Sequence, residues 1–169
     1  MDLLDQILAA NERYATTKHV GPRPLAPARH LAVVACMDSR LDVFGVLGLA
    51  NNDAHVIRNA GGIVTDDVIR SLLLSQRLMG TTDVVLVHHT DCGMQKVSDD
   101  QLKRELEAEL GVRPAFAIEA FDDPEANVRQ SIARLLASPF LRHDGCIIGF
   151  VYDVASGRLN LVEVRSAVD

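Results

Sequence analysis

Short apolar runs alternate with polar and helical segments along most of this chain. Four runs rich in Val, Ile and Leu predict strands at 30–36, 55–58, 83–88 and 146–154. The first three lack a polar face, which is typical of strands that are covered on both sides. The fourth is followed by the turn residues Ser156 and Gly157 and by a last apolar segment, 158–164. This pair predicts an antiparallel hairpin at the end of the sheet.

Helical patterns fill the intervals between these strands. Apolar residues at helical spacing predict helices over 2–17 and 66–79. A third helix runs to Leu110 and begins at Ser98, which forms a capping-box pattern with Gln101. A fourth begins at Asp123-Pro124, a cap followed by a proline at the first helical position, and stops at Ser138-Pro139.

Strands that alternate with helices predict an α/β fold. We expect a mostly parallel central sheet of about four strands plus one antiparallel edge strand, flanked by helices, with an N-terminal helical arm. The length of 169 residues suits one domain. We place a single α/β domain at 30–169 and a helix with a Pro-rich arm at 1–29. Ligands of such sheets bind beyond the carboxyl ends of the strands.

Composition and charge exclude several classes of partner. The chain is 48% hydrophobic and 24% charged, with a formal net charge of −6, as expected of a globular protein. No run of Lys or Arg exceeds a pair, so nucleic acid and anionic membranes are not expected partners. No apolar run approaches the ~20 residues that span a bilayer. The first residues are acidic, unlike a signal peptide, so we expect a cytoplasmic protein.

The cysteines are the first candidates for a functional site. Three cysteines argue against a disulfide framework, and an isolated cysteine is usually a small buried apolar residue. Cys36, however, ends the first strand, and His89 and Cys92 follow the third. Three such ligands leave a fourth position open, which is typical of catalytic zinc. A shift of one residue would make His88 the ligand in place of His89, and Cys146, without a partner motif, is expected in a buried strand.

Together the motifs resemble those of the β-class carbonic anhydrases. Cys-x-Asp-Ser-Arg stands at 36–40 and His-x-x-Cys at 89–92. Between them, 55–62 reads His-Val-Ile-Arg-Asn-Ala-Gly-Gly, similar to the Arg-Asn-Ala stretch of that family. The resemblance extends over about residues 30–165 and is greatest to the compact bacterial branch. Within 55–62, the paired glycines would also let the backbone approach the site closely.

This resemblance implies a mechanism for each candidate residue. Zn²⁺ bound by the two cysteines and His89 would carry the hydroxide that converts carbon dioxide reversibly to bicarbonate and a proton. Asp38 would orient this hydroxide, held away from the metal by Arg40; in a closed state Asp38 would itself take the fourth ligand position. The backbone N–H of Gly93 would face a substrate oxygen. Without the metal ligands, the Asp38–Arg40 pair would be a structural ion pair and Gly93 a turn residue.

Several alternatives remain at this point. The same zinc site would serve a carbonyl sulfide or carbon disulfide hydrolase, and a non-catalytic zinc-binding protein is a third candidate. The resemblance implies a homodimer or a dimer of dimers, with the N-terminal helix and arm as exchange elements. Asp91 could relay protons or bond His88. Three residues, Asp66, Asp67 and Arg70, could buttress the site, although a solvated helix start is the favoured interpretation.

Overall fold

The sheet has the predicted architecture. The computed structural model describes residues 2–166, and its five strands lie in the order β2-β1-β3-β4-β5. The strands are β1 (Leu31–Cys36), β2 (Ala54–Asn59), β3 (Asp83–His89), β4 (Ile147–Asp153) and β5 (Arg158–Arg165). Strands β1 to β4 pair in parallel, and β5 is antiparallel to β4. The predicted fold class is therefore confirmed.

Five α-helices are found among residues 2–166: α1 (Leu3–Thr17), α2 (Val43–Leu47), α3 (Asp66–Met79), α4 (Asp99–Leu110) and α5 (Pro124–Ala137). Two short 3-10 helices lie at Ala60–Gly62 and Gly93–Lys96. Four of the α-helices match the predicted helices, and α2 was missed because five residues are too few to show a helical period. The Asp123 cap of α5 is confirmed, since its carboxylate accepts the backbone N–H of Glu125 at 2.8 Å. None of these helices is long and apolar enough to cross a membrane.

The predicted capping box of α4 is wrong. Ser98 occupies the N-cap position but makes no capping hydrogen bond. Gln101 donates instead to Glu105 at 2.8 Å, one turn further along the exposed surface. The Asp99 carboxylate accepts the backbone N–H groups of Glu119 and Ala120 at 3.0 and 2.8 Å, so it fastens the loop before α5 to the start of α4.

Both faces of the sheet are covered, as the unbroken apolar runs indicate. Side chains of α3 and α5 pack on one face, and a second cluster around Leu41, Val43 and Phe121 covers the other. From Leu31 to Ala35, neighbours along β1 alternate between the two clusters, and Cys36 lies in the same cluster as Ala35. By contrast, no residue of α1 is buried. The carboxyl ends of β1 and β3, which are paired in register, therefore meet at one edge of a rigid core.

Candidate metal centre

The two central strands bring three metal-binding side chains together. The Cys36 and Cys92 sulfurs lie 4.0 Å apart. One ligand atom each from Cys36, His89 and Cys92 lies within 4.8 Å of the others. All three side chains are buried; His89 has no exposed surface. Two sulfurs and an imidazole nitrogen at this spacing form a donor set that suits a tetrahedral metal ion such as zinc.

Strand alternation separates the two neighbouring histidines. His88 points toward α5, where its Nε2 lies 2.8 Å from Asn127 Oδ1, and its ring packs on Phe121 with centroids 5.7 Å apart. Burial lowers the pKa of His88, so it is a neutral core residue. The structure thus brings His89, and not His88, to the sulfurs.

His89 presents a free nitrogen to the two sulfurs. Its Nδ1 lies 2.8 Å from the Thr90 carbonyl; a carbonyl only accepts, so Nδ1 carries a proton and in the neutral ring Nε2 keeps its lone pair. Nε2 is buried without a hydrogen-bond partner within residues 2–166. Such orphaned polar atoms are rare and need an explanation. A metal ion shared with the two sulfurs would supply one.

The electrostatics of the cluster favour a cation. A hydrogen bond from the Cys92 thiol, helped by nearby His89, lowers the pKa of Cys36. The resulting Cys36 thiolate, together with burial, raises the pKa of Cys92. Burial lowers the pKa of His89, but the Cys36 sulfur and the Thr90 carbonyl outweigh it and the net pKa is raised. The pocket therefore holds negative charge that attracts either protons or a metal ion.

Asp38 and Arg40 form a tight ion pair beside this cluster. Arg40 donates from Nε to Asp38 Oδ1 at 3.0 Å and from Nη2 to Oδ2 at 2.7 Å. Its backbone N–H also donates to Oδ1 at 2.9 Å. These hydrogen bonds hold the pKa of Asp38 far below its usual value. The carboxylate is therefore ionised near neutral pH, with Oδ2 only 3.7 Å from His89 Nε2.

A small cavity opens in front of the sulfurs. Its volume is about 170 Å³, and eight residues line it: Cys36, Met37, Asp38, Ala60, Gly61, Cys92, Gly93 and Met94. Gly93 thus lines the cavity. A side chain at Gly93 would meet nothing within 4 Å, so crowding does not explain this glycine.

Sequence reasoning assigned no role to Arg58, the arginine of the 55–62 segment. Its Nε donates to the Cys36 carbonyl at 2.9 Å and its Nη2 to the Asp38 carbonyl at 2.7 Å. It therefore fixes the backbone that carries both a metal-binding sulfur and the carboxylate. The signal available was position alone, since Arg58 is the next-to-last residue of β2, the strand that pairs with β1.

Gly62 lets the backbone approach the site, as expected of the paired glycines. Its φ is +71°, and an added Cβ would lie 2.7 Å from the Cys36 backbone nitrogen. Such a contact is too short for any side chain, and the backbone atom it meets cannot rotate away. The turn after β2 therefore packs directly beneath the end of β1.

The other predicted residues are not part of the candidate metal-binding group. Asp91 bonds Arg40, not His88, through contacts at 2.9 Å. Asp66 pairs with Arg134 of α5, and Asp67 pairs with Arg70 on the exposed surface. None of these three residues at the start of α3 contacts the metal-binding group, which agrees with the favoured interpretation. Cys146 is half-buried and precedes β4, so its placement within a buried strand is wrong.

A family model for carbonic anhydrases matches residues 31–159 of this chain. Beta-carbonic anhydrase 1 of Mycobacterium tuberculosis is 51% identical over 162 residues, which cover 96% of this chain and 99% of that protein. A carbon disulfide hydrolase of an Acidianus species is 32% identical over 94% of this chain and 88% of its own length.

Solved structures agree with these sequence matches. The crystal structure of a carbonic anhydrase from Streptococcus mutans is 43% identical and superposes with a TM-score of 0.90, over 96% of this chain and 99% of that one. Carbonic anhydrase from Glaciozyma antarctica is 39% identical with a TM-score of 0.85, over 96% of this chain and all of that one. The matches extend over the core and the metal-binding group alike.

Proposed function

This chain belongs to the β-carbonic anhydrase family, as its motifs predict, and we propose that it hydrates carbon dioxide reversibly to bicarbonate and a proton. Family membership rests on the match over residues 31–159 and on the 51% identity to a curated member. One observation supports the mechanism above all others. An ionised carboxylate, Asp38, is held by Arg40 at 3.7 Å from the metal-facing nitrogen of His89, on the wall of a cavity of about 170 Å³.

We propose zinc as the metal and Cys36, His89 and Cys92 as its ligands. Two thiolates and an imidazole are its customary donors, and three protein ligands leave one position for water. When bound, zinc lowers the pKa of a coordinated water toward about 7, so hydroxide becomes available near neutral pH. The buried, unpartnered Nε2 of His89 and the paired sulfurs support this assignment.

The protein's own groups would orient the reactants. Asp38 Oδ2 accepts a hydrogen bond from the attacking oxygen and so directs its lone pair into the cavity. Arg40 keeps this carboxylate ionised and fixes its plane through two parallel N–H···O contacts. Gly93 contributes its backbone to the same cavity, where its N–H can donate to an oxygen of the product.

Substitution of Asp38 tests this mechanism. Because positioned proton acceptors contribute about 10²–10⁴-fold, we expect Asp38→Ala to lose at least ~10²-fold in hydration rate. Zinc content should stay at the wild-type value, because Asp38 is not one of the three ligands. Asp67→Ala, which removes a carboxylate from the exposed pair with Arg70, should keep the wild-type rate. A fully active Asp38→Ala enzyme would refute the role given to Asp38.

A carbon disulfide hydrolase is the second candidate. The 32% identity to an enzyme of that name supports it, and carbon disulfide is a linear apolar molecule like carbon dioxide. The higher identity to the mycobacterial protein favours carbon dioxide. Steady-state rates on both substrates, measured with one zinc-loaded preparation, separate the two. A sulfide-releasing rate far above the carbon dioxide rate would reverse the assignment.

We further propose a homodimer, or a dimer of dimers, in the cytoplasm. Four apolar residues of α1 are more than half exposed: Leu3, Leu4, Ile7 and Leu8. A 15-residue helix with no buried residue is marginal on its own, and a second copy would cover it. Light scattering should give a particle mass of twice or four times the chain mass, and Ile7→Glu should lower this particle mass. A reducing compartment suits the two cysteine ligands.

A further inference from the structure

Arg40 is held on two edges of its guanidinium group. One edge faces Asp38, as described above. The other faces Asp91: Nη1 donates to Asp91 Oδ2 and Nη2 to the Asp91 carbonyl, both at 2.9 Å. Arginine has five N–H donors, so these contacts and the two to Asp38 use different hydrogens. Asp91 therefore adds to the Arg40–Asp38 pair and does not compete with it.

The backbone of Asp91 is arranged for this double contact. Its φ is +52°, a left-handed conformation that is uncommon outside glycine, asparagine and aspartate. In this conformation its carbonyl and its carboxylate both reach Arg40. Lys96 Nζ, 2.6 Å from Asp91 Oδ1, holds the carboxylate from the other side. Asp91 is thus a fixed support for Arg40.

The contact joins two loops that carry different metal ligands. Arg40 belongs to the loop after β1, a strand that ends at Cys36, and Asp91 lies between Cys92 and His89, the last residue of β3. If Asp91 is lost, Arg40 is anchored by Asp38 and its own backbone, and the Asp38–Arg40 pair can move as a unit. With Oδ2 already 3.7 Å from His89 Nε2, a small movement would bring Asp38 into the ligand position that water needs.

We infer that Asp91 is a positioning residue, which fixes Arg40 and thereby keeps the Asp38 carboxylate directed at the reacting oxygen and away from the metal. This inference rests on the function proposed above. In this role Asp91 supports the Asp38–Arg40 pair. The role differs from the proton relay and from the contact with His88 that the sequence suggested. Lys96 supports Asp91 from the surface.

Two substitutions of Asp91 distinguish the loss of its whole carboxylate from the loss of its charge alone. Asp91→Gly removes the carboxylate and tolerates a φ of +52° without strain; Asp91→Asn keeps an acceptor oxygen and loses only the charge. Loss of such a supporting partner typically costs 10–100-fold. We expect kcat to fall by about this factor in Asp91→Gly and by less in Asp91→Asn, with zinc content unchanged. Asp67→Ala, in an exposed pair that does not line the cavity, is the matched control and should keep the wild-type kcat.

The Arg40 side chain itself provides a readout that does not depend on turnover. In ¹⁵N-labelled protein, zinc-loaded and zinc-free, the Nε–H resonance of Arg40 should be sharp and slow to exchange in the wild type and in Asp67→Ala. It should broaden or exchange rapidly in Asp91→Gly. An unchanged Arg40 resonance in Asp91→Gly, or an unchanged kcat, overturns the inference. If the wild type hydrates no carbon dioxide, the proposed function fails, while the resonance still decides whether Asp91 fixes Arg40.

Discussion

Gly62 offers the sharpest quantitative test of how the metal-binding loop is supported. We consider Gly62→Ala, which adds one carbon beneath the end of β1. That carbon would lie 2.7 Å from the Cys36 nitrogen, 3.0 Å from the Ala35 carbonyl carbon and 3.2 Å from the Val87 oxygen. All three atoms belong to the backbone of the central strands, so the strain cannot be relieved by a side-chain rotation.

Two costs add in this variant. A φ of +71° costs a residue with a side chain about 1–2 kcal/mol. Forcing a methyl group into packed backbone costs typically another 1–3 kcal/mol. We therefore expect Gly62→Ala to lower the free energy of unfolding by roughly 2–5 kcal/mol. It should also weaken zinc binding, because Cys36 has to move.

Gly111→Ala is the matched control. Gly111 caps α4 with a φ of +73°, almost the same backbone conformation, but an added Cβ there would meet nothing within 4 Å. It should lose only the backbone cost of about 1–2 kcal/mol. Urea unfolding of both zinc-free variants and the wild type, at equal protein concentration, measures the difference. Equal losses in the two variants would refute the close packing of Gly62 on Cys36.

Three further substitutions test the surroundings of the site. Arg58→Gln should lower the zinc affinity, measured by chelator competition, and the carbon dioxide hydration rate, measured by stopped flow, by about 10–100-fold. A wild-type zinc affinity in this variant would contradict the support of the loop by Arg58. Asn127→Ala should lower the free energy of unfolding by about 1–3 kcal/mol because it leaves buried His88 unpaired; an unchanged urea midpoint would contradict that pairing. Hydrogen bonds from backbone N–H groups lower the pKa of Asp99 in the folded protein. The ionised Asp99 carboxylate therefore stabilises the folded state fully above the pKa of an unfolded aspartate, about 3.9, and this stabilisation is lost as the pH falls through the folded-state pKa. Asp99→Ala should therefore be less stable than the wild type in urea near neutral pH, with the gap closing under acid conditions; a gap that persisted in acid would contradict it.

The strands and the two helices α3 and α5 could be predicted because packing imposes a strong pattern on them. Strands covered on both faces have unbroken apolar runs, and α3 and α5 present a repeated apolar stripe to the sheet. The capping box of Ser98 could not be decided from sequence, because Gln101 also has a hydrogen-bond partner one turn later, Glu105, and binds it in the structure. Short α2 has no periodic signal at all.

The grouping of Cys36, His89 and Cys92 could be predicted because parallel strands bring their carboxyl ends to one edge of the sheet. Choosing between His88 and His89 required the phase of β3, which depends on which face α5 covers. The residues that support the site, Arg58 and Asp91, were harder still to predict from the sequence. Arg58 donates to main-chain carbonyls about twenty residues away, and Asp91 reaches Arg40 across 51 positions. Contacts of this kind are set by tertiary packing and leave no local pattern.

We propose that carbon dioxide is hydrated at a zinc ion bound by Cys36, His89 and Cys92. The direct measurement is the stopped-flow hydration rate of protein that has been stripped of metal and then titrated with zinc. We expect the hydration rate to rise in proportion to bound zinc and to stop rising at one ion per chain. In Cys92→Ser, the zinc-dependent rate should be absent. A fully zinc-loaded protein that is no faster than buffer would contradict it.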